Sequence, residues 1–75
     1  SDRLLHREKN DIADQIRKLE ATVLQYENNL GFFAHVGDDH PMKKEVLDKI
    51  ERTRQQVQAL KEKRKLVERS LRKQA

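Results

Sequence analysis

The chain is divided by the stretch GFFAHVGDDH, residues 31–40, which contains both of its glycines and immediately precedes its single proline, Pro41. Apolar residues recur at spacings of three, four and seven from Leu5 to Phe33, and a second pattern with spacings of three and four begins at Val46. Such spacings are typical of helices that pack as coiled coils. Ten residues are enough for the chain to reverse direction. We therefore predict a helix over residues 2–30, a connector over 31–40 and a second helix over 41–73.

Each predicted helix carries one continuous heptad seam. The seam of the first helix consists of Leu5, Ile12, Ile16, Leu19, Val23, Tyr26, Leu30 and Phe33. The seam of the second helix consists of Val46, Ile50, Thr53, Val57, Leu60, Arg64, Val67 and Leu71. Two helices of nearly equal length joined by one bend bury both seams when they lie antiparallel, with Leu19 and Val23 near Thr53 and Val57, and Leu5 near Val67 or Leu71. The predicted fold class is therefore all-α, an antiparallel two-helix coiled-coil hairpin.

The residues at the bend predict how the two helices end and begin. Gly31 suits the position just after a helix, where a left-handed residue ends it without steric cost. Pro41 suits the first helical turn, because the N–H that proline lacks has no helical partner there. His40 is a poor helix cap, so we expect Asp39 to cap the second helix.

The tip of the hairpin is a candidate interaction site. We expect Phe32 and Phe33 to fold back over the neighbouring seam residues and over Met42, because two adjacent phenylalanines are unfavourable in solvent. The alternative is that one of the rings is exposed as an anchor for another protein. The candidate tip residues are Tyr26, Leu30, Gly31, Phe32, Phe33 and Pro41.

Arg64 interrupts the second seam with a charge. One interpretation is that its aliphatic stem packs on the seam while the guanidinium reaches water or an acid of the first helix, such as Glu8 or Asp11. The other is that Arg64 fixes the register or the choice of partner, as polar core residues do in some coiled coils.

The composition predicts a marginally stable hairpin. Charged residues make up 40% of the 75 residues and hydrophobic residues only 35%. Four leucines, Leu4, Leu24, Leu47 and Leu66, lie beside or outside the seams. We expect these leucines to cover a second helix pair, so that the protein self-associates, preferably as a homodimer that forms an antiparallel four-helix bundle. Because the chain opens at Ser1 without methionine and ends in charged helix, we also expect it to be a segment of a longer protein.

Basic residues are concentrated in the last third of the chain. Residues 41–75 carry twelve basic and five acidic side chains within a total net charge of +4. This basic region has two interpretations: a solvated helix face, or a helical arm that contacts nucleic-acid phosphates, similar in general shape to the tRNA-binding arm of seryl-tRNA synthetases. No aromatic residue is interleaved with the basic ones to stack on a base. The candidate nucleic-acid contacts are Lys61, Lys63, Lys65, Arg69, Arg72 and Lys73.

Several classes of function find little support in this sequence. The absence of cysteine removes disulfides, thiol catalysis and cysteine zinc sites. His35, Asp38, Asp39 and His40 match no metal-binding motif, and the serines and histidines are dispersed, so we expect no metal, no cofactor and no enzymatic activity. Apolar runs are too short to span a membrane and no signal peptide is apparent. We therefore expect a cytoplasmic protein without a membrane partner.

A family resemblance rests on the string QYENNLGFF, residues 25–33, followed by an acidic loop and the segment PMKKEV, residues 41–46. Over roughly residues 16–67 the chain resembles the C-terminal helical hairpin of large bacterial proteins, particularly those of Bacteroides-like bacteria, built from the repeated domain of unknown function numbered 349. The resemblance implies a cytoplasmic, all-helical, non-enzymatic parent protein and no catalytic residues. His40 departs from the pattern, in which an asparagine cap is more usual before the proline.

Overall fold

The computed structural model describes residues 2–74 as two long helices folded against each other. Helix α1 spans Asp2–Leu30, a short 3₁₀ helix spans Gly31–Phe33, and helix α2 spans Pro41–Gln74. The molecule is a rod of 54 × 15 × 12 Å. Within the described part of the chain there are no strands, and the predicted fold class, an all-α hairpin, is confirmed. Helix α2 continues one residue beyond the predicted end.

The interior of the rod is formed by the two heptad seams. Its buried side chains are Ile12, Ile16, Val23, Ile50, Thr53, Val57 and Val67, and every other seam residue is half-buried. Ile12 is the most enclosed, with 2% of its surface exposed. Leu5, Leu19, Leu60 and Leu71 are partly buried and pack against the central cluster of Ile12, Ile16, Val57 and Val67. Burial of these aliphatic groups is what holds two otherwise charged helices together.

The two polar seam residues are accommodated within α2 itself. The hydroxyl of Thr53 donates a hydrogen bond to the carbonyl of Lys49 at 2.7 Å, so its burial leaves no unsatisfied donor. Arg64 is half-buried, and its Nε lies 3.5 Å from Oε1 of Glu68, one turn along the same helix. Of the two predicted destinations of the guanidinium, the acids Glu8 and Asp11 are not its partners, whereas 34% of the Arg64 side chain is exposed to water. A partner four residues away on the same helix is already within reach, whereas a partner on α1 lies across the seam.

The chain leaves α1 without a left-handed residue. The backbone angles are φ −58° and ψ −26° at Leu30 and φ −60° and ψ −25° at Ala34, and neither glycine has a positive φ. The predicted left-handed Gly31 is therefore wrong. A 3₁₀ turn takes over instead, with the N–H of Ala34 bonded to the carbonyl of Gly31 at 3.4 Å. Such turns satisfy the carbonyls at a helix end without reversing the sign of φ.

Gly31→Ala is expected to stabilise the protein. Gly31 keeps a negative φ, and an added Cβ would meet no atom within 4 Å. Because alanine restricts the unfolded chain more than glycine does, the free energy of unfolding should rise by about 0.5–1 kcal/mol. Urea unfolding followed by circular dichroism measures this change. A left-handed Gly31 would give the opposite sign, so a loss of stability in the alanine variant contradicts the geometry described here.

Candidate functional site

The connector at the tip is a series of tight turns, and a lysine of α2 contacts it through a hydrogen bond and an ion pair. The N–H of Val36 bonds to the carbonyl of Phe33, and the N–H of His40 bonds to the carbonyl of Gly37, each at 3.1 Å. Lys43 has only 15% of its side chain exposed. Its Nζ donates to the carbonyl of Val36 at 2.8 Å and lies 2.9 Å from Oδ1 of Asp38.

Lys43 therefore satisfies a backbone acceptor of the connector and an acid of the following turn. Lys43 is not among the tip residues predicted from the sequence. The sequence feature that indicates its burial is its position in the heptad pattern. Lys43 lies one heptad before Ile50 and so continues the α2 seam towards the tip.

The cap of α2 is His40 rather than Asp39. The carbonyl of His40 accepts the first helical hydrogen bond, from Lys44 N–H at 2.8 Å. Its Nδ1 accepts a hydrogen bond from the N–H of Met42 at 3.3 Å, a role open only to a neutral imidazole with its proton on Nε2. The prediction that Asp39 caps the helix is therefore wrong, because Asp39 lies one residue before the cap position.

The aromatic residues of the tip separate into packed and exposed rings. The Phe33 ring is half-buried, with its centroid 6.2 Å from that of His40. Tyr26 is half-buried, and Nζ of Lys49 lies 5.9 Å from its ring centroid. In contrast, 76% of Phe32 is exposed, and Met42 is exposed as well.

The prediction that both phenylalanines cover the tip is therefore wrong for Phe32. Consecutive residues of a 3₁₀ helix point about 120° apart, so the two rings cannot face the same side. Among the other candidate tip residues, Leu30 is half-buried, whereas Gly31 and Pro41 are exposed. The exposed part of the predicted tip site thus consists of Gly31, Phe32 and Pro41, next to Met42.

Two interhelical ion pairs distinguish the two broad faces of the rod. Arg54 Nη2 lies 2.8 Å from Glu27 Oε1 on one face. Lys63 Nζ lies 3.6 Å from Glu8 Oε1 on the other. Each residue along an α-helix is turned by about 100° from the one before it. Residues that directly follow a seam position, as Glu27 and Arg54 do, therefore lie on the first face. Residues that directly precede a seam position lie on the second face.

The exposed leucines divide between these faces. Leu24 and Leu47 follow seam residues, whereas Leu4 and Leu66 precede them. Leu4, Leu24 and Leu66 are exposed and Leu47 is half-buried. The expectation that the four leucines together cover one second helix pair is therefore wrong, since the fold places two of them on each side of the rod.

The face that carries Leu24 also contains a groove between the helices, and we call it the groove face. The groove has a volume of about 490 Å³. Its lining residues are Glu20, Val23, Leu24, Glu27, Arg54, Val57, Gln58 and Lys61. The charged residues of its α1 wall are acidic and those of its α2 wall are basic. Leu24, 59% exposed, is the only leucine in the lining.

The predicted nucleic-acid contacts fall into three environments. Lys61 is half-buried in the wall of the groove. Lys63 pairs with Glu8, and Lys65 Nζ lies 3.5 Å from Glu62 Oε1. The exposed Arg69, Arg72 and Lys73 form no ion pair with any residue from 2 to 74. The set is therefore only partly free to contact a ligand.

The helices offer neither a metal site nor a membrane-spanning segment in the part of the chain that the structure describes. Among residues 2–74 no three histidine, aspartate or glutamate side chains converge to hold a metal ion. Neither α1 nor α2, as far as each is described, has an apolar stretch long enough to cross a membrane. The chain matches no protein-family model, no curated protein and no solved structure. The resemblance to family 349 hairpins therefore stays a prediction.

His40→Ala is expected to lower the free energy of unfolding by about 0.5–2 kcal/mol, because the variant loses the side-chain cap of α2. His40→Asn is the matched control. It also loses the ring next to Phe33 but keeps a cap acceptor, so it should stay close to the wild-type stability. Thermal unfolding followed by circular dichroism measures both variants. Equal losses in the two variants would mean that the ring contact, and not the cap, is what matters.

Proposed function

We propose that this hairpin is a non-enzymatic protein-interaction module that forms a homodimer through its groove face. The observation that carries the proposal is Leu24, an exposed leucine in a groove whose two walls have opposite charge. A second copy of the chain can bury this leucine. The same contact can satisfy the charges along both walls.

The charge arrangement of the groove suits a second copy in particular. The α1 wall carries Glu20 and Glu27, and the α2 wall carries Arg54 and Lys61. A two-fold axis parallel to the rod places the acidic wall of each copy opposite the basic wall of the other. Such an isologous contact uses one surface twice and closes as a dimer. Every neighbouring pair of helices in the resulting four-helix bundle is antiparallel, as the sequence predicts.

The size of the face is also appropriate for a dimer. A rod with extents of 54 and 15 Å presents a broad side of roughly 800 Å², which is about what each partner buries in a standard stable interface. Both Leu24 and the half-buried Leu47 gain cover in this arrangement. Dimerisation would then add apolar burial to a hairpin in which seven side chains are buried among residues 2–74.

The resemblance to family 349 suggests what kind of larger protein contains the hairpin. We propose that the hairpin is part of a larger cytoplasmic, all-helical bacterial protein, in which the dimer contact holds two such chains together. The exposed Phe32 at the tip is a second place where another protein could dock. This part of the proposal rests on the QYENNLGFF string and on the helical architecture.

Leu24→Glu is expected to weaken dimerisation by at least about tenfold, because a charge is then placed where the proposed interface excludes water. Sedimentation equilibrium over about 10 µM to about 1 mM protein measures the dissociation constant. Circular dichroism should show that the variant keeps its helices, since Leu24 lies outside the buried core.

Leu66→Glu is the matched control for this experiment. Leu66 is also a leucine with 59% of its surface exposed, but it lies on the opposite broad face. Its substitution should leave the dissociation constant within about twofold of wild type. A wild-type protein that stays monomeric throughout the range contradicts the proposal, and so does an equal effect of the two leucine substitutions.

A further inference from the structure

The fold separates charge along the rod. We call residues 2–18 of α1 and 58–74 of α2 the open end, because the antiparallel helices bring these segments together away from the connector. The open end carries twelve basic and six acidic side chains, a net charge of +6. The remaining residues, 19–57, which we call the tip half, carry five basic and seven acidic side chains, a net charge of −2. The total of +4 is therefore distributed as a positive end and a weakly negative tip.

Internal ion pairs use only part of the positive charge of the open end. Four of its six acids are paired within the chain. The pairs are Glu8 with Lys63, Asp14 with Arg17, Glu62 with Lys65, and Glu68 with Arg64. The basic side chains of the open end that form no ion pair among the described residues are Arg3, Arg7, Lys9, Lys18, Lys61, Arg69, Arg72 and Lys73.

Four basic residues lie close together on the outer surface of α2, and two of them, Arg69 and Lys73, face away from α1. We call this surface the basic edge, and it consists of Lys65, Arg69, Arg72 and Lys73. Arg69 and Lys73 lie opposite the seam residues Val67 and Leu71, whereas Lys65 and Arg72 directly follow seam positions and lie towards the groove face. Arg72 also lines a shallow cleft against the start of α1. The four residues span an axial length of about 12 Å. All four are exposed. Lys65 alone has an ion-pair partner, at 3.5 Å.

We infer that the basic edge binds the phosphate backbone of double-stranded nucleic acid without reading its sequence. Closely spaced, exposed arginine and lysine side chains on a helix fit a row of phosphates, and the +6 field of the open end attracts the polyanion. Base recognition is a poor fit, because all three aromatic residues, Tyr26, Phe32 and Phe33, lie in the tip half of the rod. Single strands are bound mainly by stacking their bases on aromatic rings.

Two other anionic partners fit the basic edge less well. A membrane-bound helix needs a continuous apolar face beside its basic residues, whereas the apolar seam of α2 is covered by α1. The tip half of a second copy carries a net charge of only −2, much less than a duplex, which has one negative charge per roughly 1.7 Å. None of the four lines the groove, and Arg69 and Lys73 lie opposite the seam, so substitutions at these two positions test duplex binding separately from dimerisation through the groove.

The test is fluorescence anisotropy of labelled duplex DNA and duplex RNA of about 24 base pairs, titrated with protein over a series of salt concentrations. The wild-type protein should bind with a dissociation constant below about 100 µM at about 50 mM salt, and the affinity should fall steeply as salt rises. Arg69→Gln combined with Lys73→Gln should weaken binding by at least about tenfold and reduce the salt slope by about 2.

The control is Lys44→Gln combined with Arg52→Gln, two exposed residues of the tip half of α2. Both double variants carry the same net charge, so only the position of the lost charge differs, and the control should bind within about twofold of wild type. Circular dichroism verifies that both variants are helical.

Four results would overturn the inference. They are absence of duplex binding, equal weakening by the two double variants, tighter binding to a single strand of the same length, and binding to phosphatidylserine vesicles in preference to duplex.

Discussion

The burial of two heptad seams against each other is the interaction on which the rest of the structure depends. Charged residues make up 40% of the chain, and an isolated charged helix is only marginally stable in water. The cluster around Ile12, Ile16, Val57 and Val67 supplies the apolar contact that neither helix has alone. Once the seams are in contact, the two broad faces, the open end and the tip all follow from the geometry of the hairpin.

The hydrophobic period predicted which residues are buried, because burial in a two-helix rod depends on helical phase alone. The same period explains Lys43, whose place one heptad before Ile50 leaves it only 15% exposed. Local geometry was harder to predict. The conformation of Gly31 and the role of His40 depend on how the chain crosses between the helices. A 3₁₀ turn is found where a left-handed glycine was expected, and the imidazole of His40 caps α2 where Asp39 was expected to. Phe32 is exposed because its neighbour Phe33 already occupies the side that faces His40.

Candidate surfaces depended on topology more than on sequence pattern. The concentration of basic residues in α2 is visible in the sequence, but only the antiparallel fold adds Arg3 and Arg7 of α1 to the same end. The two leucine pairs likewise look equivalent along the chain and lie on opposite faces of the rod. The proposed dimer contact lies on the groove face, and the proposed phosphate contact includes Arg69 and Lys73, which lie outside that face. A hairpin with both would hold two chains together beside a nucleic-acid duplex.

The distance between the two ends of the chain tests the central claim most directly. The chain contains no cysteine, so Arg7→Cys combined with Arg69→Cys allows two spin labels to be attached at exposed positions of α1 and α2. Pulsed electron–electron double resonance, with an excess of unlabelled protein, then reports the intramolecular distance. Antiparallel helices about 8–10 Å apart predict one narrow distribution near 30 Å for labels pointing away from each other. A distance near 90 Å, as expected for one continuous helix, or a broad distribution typical of an unfolded chain, would contradict the hairpin.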